Sequence, residues 1–157
     1  MELLILSDSH RDLKNMRRLL EISCPGAVFH LGDHDSDATM LAKEFPNIPF
    51  YCVCGNCDSL CPTAPTELVT ELAGVRIFAT HGHKYHVKNG MMSLVMSARQ
   101  AEAQLVLFGH THQPMYEQHN GVHYLNPGSA KGYGASYGLA YVHEGQVVRC
   151  ELKKMPL

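Results

Sequence analysis

The chain has 157 residues, with 13 basic against 15 acidic side chains, a formal net charge of −2 and 45% hydrophobic residues. That is the size of one domain able to remove roughly 68–70% of its unfolded surface from water. Its composition excludes a disordered chain, a module that binds nucleic acid by phosphate neutralisation, and a helix of the ~20 apolar residues needed to span a bilayer.

The opening run Met1-Glu2-Leu3-Leu4-Ile5-Leu6 lacks a basic leader region and meets Asp8 and His10 at once. It reads as a buried first strand and not as a signal peptide, so a cytoplasmic protein with reduced cysteines is expected. The periodicity predicts a helix through Leu13, Met16, Leu19, Leu20 and Ser23, stopped by Pro25-Gly26. Ala27 to Leu31 reads as a second strand and ends in Gly32-Asp33. A second helix is expected through Ala38, Met40, Leu41 and Glu44, capped by Ser36 or Asp37 and ended by Pro46 and Pro49. Asp35 and Asp37 are both read as capping residues.

Three more apolar runs follow, each loaded at its end. Phe50 to Cys54 ends in Gly55-Asn56-Cys57-Asp58, Val75 to Thr80 in His81-Gly82-His83, and Leu105 to Phe108 in Gly109-His110-Thr111-His112. Short runs bounded by Gly and acids read as strands of a largely parallel sheet. Met91, Met92, Val95 and Met96 begin a third helix continuing towards Ala103. The C-terminal third reads as antiparallel β, with one hairpin at Asn120-Gly121 and another at Glu144-Gly145. Without linker, repeat or low-complexity stretch, residues 1–157 are expected to form one α/β domain.

In open α/β sheets ligands bind beyond the carboxyl ends of the strands. The loaded ends should therefore pool Asp8, His10, Asp33, Asn56, His81, His110 and His112. Carboxylate, amide and imidazole donors suit borderline divalent ions such as Mn²⁺, Fe²⁺, Zn²⁺ or Ni²⁺. These seven ligands exceed the roughly four of a tetrahedral zinc site but suffice for two ions if one carboxylate bridges. Two ions about 3.5–4 Å apart can hold a bridging hydroxide and clamp a phosphoryl group for in-line displacement.

Asp8-Ser9-His10, Gly32-Asp33, Gly55-Asn56-Cys57-Asp58, His81-Gly82-His83 and Gly109-His110-Thr111-His112, in this order, resemble the calcineurin-like metallophosphoesterase superfamily. The short chain, the Gly-Asn-Cys-Asp variant and Asn126-Pro127-Gly128-Ser129 resemble its compact YfcE-type phosphodiesterase branch. The resemblance covers residues 3 to about 129. It implies a four-layer α/β/β/α sandwich of mixed sheets. It also implies that Asp8, His10 and His112 hold a first metal, that Asp33 bridges, and that Asn56, His81 and His110 complete a second site. The expected reaction is metal-dependent hydrolysis of a small phosphodiester with two divalent ions, Mn²⁺ first and Ni²⁺, Zn²⁺ or Fe²⁺ as alternatives. The competing readings are a phosphomonoesterase and a non-catalytic, retromer-like binding scaffold. An oligomer is left open.

Asp33, Asn56, Cys57 and His83 are the residues expected nearest the chemistry. Many relatives carry histidine after the metal-binding asparagine, where it is thought to protonate the leaving oxygen; here that position is Cys57. The substitution implies an enzyme that favours activated aryl phosphodiesters. For His83, substrate contact and a structural hydrogen bond stand as equal readings. Arg11, Lys84 and His86 are read as solvated, and His30, His119, His123 and His143 as structural strand residues. Asp58 is read as orienting the turn that holds Asn56. Cys52 and Cys54 are read as small hydrophobes on one strand face, with a Cys54–Cys57–Cys61 metal site as the weaker alternative.

Overall fold

The computed structural model describes residues 1–58 and 64–156. Ten strands and three α-helices run in the order β1 (Glu2–Leu6), α1 (Leu13–Ser23), β2 (Ala27–His30), α2 (Asp35–Glu44), β3 (Phe50–Cys52), β4 (Glu67–Leu72), β5 (Val75–Thr80), α3 (Met92–Gln100), β6 (Leu105–Leu107), β7 (Met115–His119), β8 (Val122–Asn126), β9 (Ser136–His143) and β10 (Gln146–Lys154). They form two five-stranded sheets, ordered β10-β9-β1-β2-β3 and β4-β5-β6-β8-β7.

The alternation within β1 explains the layering. Leu3 and Ile5 point into the core between the sheets, with Phe29, Val75, Ile77, Leu105, Leu107 and Leu125. Leu4 and Leu6 point the other way, onto Met16, Leu19 and Leu20 of α1 and Leu41 of α2. On the far sheet Phe78, Val106 and Phe108 pack against Leu94 and Ala98 of α3. A strand buried on both faces has no polar side to show, which is why these runs are continuously apolar. The result is the four-layer α/β/β/α sandwich.

Several expectations are corrected. The sheets are not largely parallel: β1-β2-β3 and β5-β6-β8 are parallel cores, with antiparallel β9, β10, β4 and β7 at their flanks. The C-terminal third does form the two expected antiparallel hairpins, but β7-β8 joins the second sheet and β9-β10 the first. Strand β4 was not expected at all. Its residues alternate between exposed and half-buried, so at this edge position it carries no continuous apolar run. Strand β3 ends at Cys52; Cys54 lies beyond it, buried, while Cys52 is half-buried. Helix α3 stops at Gln100, short of Ala103, and leaves Met92 and Met96 exposed.

Asp35 and Asp37 are not caps either. Helix α2 starts at Asp35, its cap position is His34 in a left-handed conformation, and no side chain caps it. Both acids lie buried in the first turn, where a carboxylate also suits the positive end of the helix dipole. Asp37 accepts hydrogen bonds from the Ser9 hydroxyl (2.7 Å) and the Arg11 amide (2.8 Å), tying α2 to the loop after β1.

Candidate metal centre

The parallel strands β1, β2, β5 and β6 all deliver their following loops to one edge of the sandwich. Asp8 and His81 are fully buried there, Asp33 nearly so, His10 and His110 half-buried, and Asn56 and His112 exposed. Asp8, His10, Asp33, His110 and His112 all have φ between 44 and 68°. Non-glycine residues seldom adopt this left-handed conformation, and such strain persists only where the surroundings impose it.

One ligand atom from each of Asp8, His10, Asp33 and His112 falls in a group spanning no more than 4.8 Å. Asp8 divides its carboxylate in two. Oδ2 accepts hydrogen bonds from the Ser7 hydroxyl (2.5 Å) and the His110 amide (3.2 Å). Oδ1 is buried without a hydrogen bond, although His112 Nε2 stands 3.0 Å away. An unsatisfied buried carboxylate oxygen facing an imidazole nitrogen is costly in apolar surroundings and well matched to a cation between them.

Asp33 faces two ways. Its Oδ2 is 3.8 Å from His10 Nε2 and its Oδ1 3.6 Å from His81 Nε2. The Cys57 amide also donates to Oδ1 at 2.9 Å. Burial opposes ionisation of Asp33, but the Cys57 amide and the His81 imidazole hold its carboxyl below the usual range. On the second side, His81 Nδ1 lies 2.6 Å from the Leu31 carbonyl and Nε2 3.2 Å from Asn56 Oδ1. With a carbonyl at Nδ1, that nitrogen carries the proton and Nε2 offers its lone pair, the usual outer-shell arrangement of a ligating histidine. The His110 ring lies 5.0 Å from the His81 ring. Burial, then the neighbouring His81, pushes His110 down to about 4, and burial also lowers His10 and His83. Neutral imidazoles are the ligating form.

All seven expected ligand positions therefore meet at one edge. The cluster within 4.8 Å takes four of them, and His81, 3.6 Å from Asp33 Oδ1 and 4.0 Å from Asp8 Oδ1, gathers Asn56 and His110 beside it. His83 sits beside this second group, 5.4 Å from the His81 ring, with a buried Nδ1 that has no partner. Cys57 is exposed; burial of its thiol and its hydrogen bond to Asp33 push it up to about 11. Asp58 does hold the turn, accepting from the Gly55 amide (2.7 Å) and the His34 and Asp35 amides (2.7 and 3.1 Å). Arg11, Lys84 and His86 are exposed as expected. His30 is buried and structural, its Nε2 3.1 Å from the Ser9 hydroxyl. His119, His123 and His143 occupy strands β7, β8 and β9. Cys61 of the alternative thiolate site lies outside the described residues.

Sequence reasoning missed the supporting residues. Buried Asn126 donates to the Gly109 carbonyl (2.9 Å) and to the Thr111 hydroxyl (3.0 Å), holding the His110–His112 loop. The Ser129 hydroxyl donates to the Asp8 carbonyl at 2.9 Å. His34, in a left-handed conformation, places its ring 5.4 Å from that of His10. The Asn126-Pro127-Gly128-Ser129 signal pointed to two of these residues but not to their work.

A two-layered sheet core with strained carboxylates and imidazoles pooled at its strand ends defines a metallophosphoesterase-like hydrolase. The calcineurin-like phosphoesterase superfamily domain matches residues 1–145, and the chain belongs to that superfamily. It is 30% identical over 151 residues to phosphodiesterase MJ0936 of Methanocaldococcus jannaschii, covering 85% of this chain and 86% of that one. It is 28% identical over 167 residues to phosphodiesterase YfcE of Escherichia coli K12, covering 88% and 86%. A Streptococcus pneumoniae TIGR4 protein described as a predicted phosphoesterase superposes with a TM-score of 0.76 at 25% identity, covering 98% and 97%. Vps29 from Entamoeba histolytica shares the fold at a TM-score of 0.76 and 20% identity, covering 99% and 100%. Among the described residues no helix is long and apolar enough to cross a membrane.

Proposed function

We propose that this protein hydrolyses phosphodiesters with two divalent ions, Mn²⁺ foremost, held on either side of Asp33. The observation that carries this reading is the Asp33 carboxylate, whose two oxygens face His10 on one side and His81 on the other. Asp8, His10 and His112 would hold the first ion, and Asn56, His81 and His110 the second. When bound, such a pair supplies a nucleophilic oxygen at neutral pH and offsets the charge that develops on the phosphoryl group during in-line displacement.

The chain's own residues do the rest. Buried Asp8, braced by Ser7 and the His110 amide, keeps one oxygen turned inward. The Leu31 carbonyl fixes the tautomer of His81. Cys57 stands at the Asn56 edge, where the leaving oxygen would depart, and offers a thiol in place of an imidazole. Every Lys and Arg among the described residues is outside the buried set. Exposed Lys131 stands on the cavity beside His10 and His112, and the preference for a diester is supported by the likeness to phosphodiesterases MJ0936 and YfcE.

The test is hydrolysis of bis(p-nitrophenyl) phosphate and p-nitrophenyl phosphate with Mn²⁺, Ni²⁺, Zn²⁺ or Fe²⁺, alongside a count of metal per chain. Two ions per chain and faster diester hydrolysis are expected. A single ion per chain, or faster monoester hydrolysis, overturns the reading. The fold shared with Vps29 is the one observation favouring a scaffold, and two bound metals with no hydrolysis would favour it.

A further inference from the structure

The metal cluster opens on one side into a cavity of about 450 Å³, whose lining includes His10, His112, Ser129, Lys131, Tyr133 and Ala135. Neither Asn56, Cys57, His81 nor His110 lines it. Its outer wall is the loop between β8 and β9, tied at its base and again at Gly132, whose amide donates to Asp12 Oδ2 at 3.0 Å. At the base, the Ala130 amide donates to the Ser7 carbonyl, the Ser136 amide to the Ser129 carbonyl, and the Ser129 hydroxyl to the Asp8 carbonyl, each at 2.9 Å. The base is thus tied to the backbone of a candidate ligand. The tip is Gly132-Tyr133-Gly134. Both glycines have positive φ, 73 and 82°, with open space around them. Tyr133 between them is 98% exposed. A second cavity of about 330 Å³, lined by Asn15, Lys154, Met155 and the same tyrosine, lies on the loop's other side.

An aromatic ring packed against nothing does no work for the fold, and the turn that presents it is anchored through the Gly132 amide to Asp12. We infer that Tyr133 is the platform of an ester-group subsite that stacks a planar aromatic group, aryl or nucleobase, on the retained side of the phosphodiester. The inference rests on the phosphodiesterase reading and deepens it. The side follows from the proposed function: with the leaving oxygen at the Asn56–Cys57 edge, the other ester group would lie towards the His10–His112 side, where the cavity is. Its volume falls within the 300–1,000 Å³ usual for small-ligand sites, and a tyrosine face is tolerant of which ring it meets.

The experiment compares substrates that lose the same p-nitrophenolate but retain different groups: p-nitrophenyl, thymidine or methyl. Because Tyr133 is almost wholly in water, Tyr133→Ala leaves packing undisturbed. It is expected to lower kcat/KM for the p-nitrophenyl-retaining diester by about tenfold, the effect of losing one stacked ring. The methyl ester should fall less than twofold and Tyr133→Phe should restore the difference. The thymidine ester falling as well assigns the subsite to nucleobases and aryl groups alike; its sparing restricts it to aryl groups. Equal loss on all three esters, or loss on none, overturns the proposal.

Binding separates this inference from the function beneath it. The chain contains no tryptophan, so Tyr133→Trp installs a single reporter. Its emission in the Mn²⁺-loaded protein should be quenched by p-nitrophenyl phosphate and not by methyl phosphate. If no diester is hydrolysed at all, the phosphodiesterase reading fails while this titration still decides the subsite: selective quenching supports it, and equal or absent quenching overturns it.

Discussion

The two sides of the Asp33 carboxylate are built differently. The first side collects two carboxylates and two imidazoles within 4.8 Å, with Asp8 fully buried and its spare oxygen left without a hydrogen bond. The second, around His81, pairs Asp33 with an amide and two imidazoles, Asp8 Oδ1 standing 4.0 Å from His81 Nε2, and its Asn56 is exposed. At close range each full negative charge weighs far more on a cation than a neutral dipole does. On the proposed two-ion reading, the first side would be the strong position and the second a weaker one that depends on the bridge. Titration calorimetry with Mn²⁺ should accordingly resolve a tight step and a looser one.

Asp33→Ala is the harshest way to break this comparison. It removes the anion common to both sides, so both calorimetric steps and hydrolysis should be lost by at least about 100-fold, more than outer-shell substitutions alone produce. Circular dichroism should be unchanged. Retained activity with two metals bound would sink the bridging assignment.

Two glycine substitutions sharpen the comparison without touching a ligand. A Cβ at Gly55 would run into the Asp33 carboxylate and its backbone nitrogen, whereas one at Gly109 would meet the Ser7 hydroxyl and Asp8 Oδ2. Gly55→Ala should weaken both steps by about 10–100-fold, and Gly109→Ala chiefly the tight one, as expected for groups that orient ligands. Equal effects from the two would mean the sides are not separable.

A milder loss is expected from His10→Ala, which removes one neutral ligand and no charge. Activity should drop about tenfold at low Mn²⁺ and recover as the ion is raised, by mass action. A defect that no concentration relieves would show that His10 does more than ligate. The smallest effect falls on the second side. Cys57→Ala should change hydrolysis of activated aryl diesters less than twofold, while Cys57→His should speed alkyl esters, where a general acid is worth roughly 10²–10⁴. The slope of log rate against leaving-group pKa checks both; a shallow wild-type slope steepened by alanine would make the thiol itself the acid.

Five motifs, each just after an apolar run, were legible because a buried strand and the polar turn beyond it are both local patterns. The four layers followed from the resemblance those motifs carry and from the alternation of β and α runs. Which strand neighbours which was not legible. A hydrophobic run reports burial, not its partner, so the assignment of the two C-terminal hairpins to different sheets had to come from the fold. Strand β4, alternating between exposed and half-buried, had no run to report. Asp35 and Asp37 have the local look of caps, and only the approach of Ser9, Arg11 and the Ala64 amide turns them into ties between loops.

The residue types at the strand ends, and therefore the N/O chemistry of the centre, were set by the sequence alone, because ligand character belongs to a side chain. The division of labour inside the centre was decided by tertiary structure. His110 reaches Asp8 across 102 positions of chain, and Asp33 sets one oxygen near His10 and the other near His81 only because β1, β2, β5 and β6 end at the same edge. The left-handed backbone at five candidate ligand positions is likewise invisible in a sequence of ordinary Asp and His. It is a strain that no local preference favours and that only packing from every side can hold.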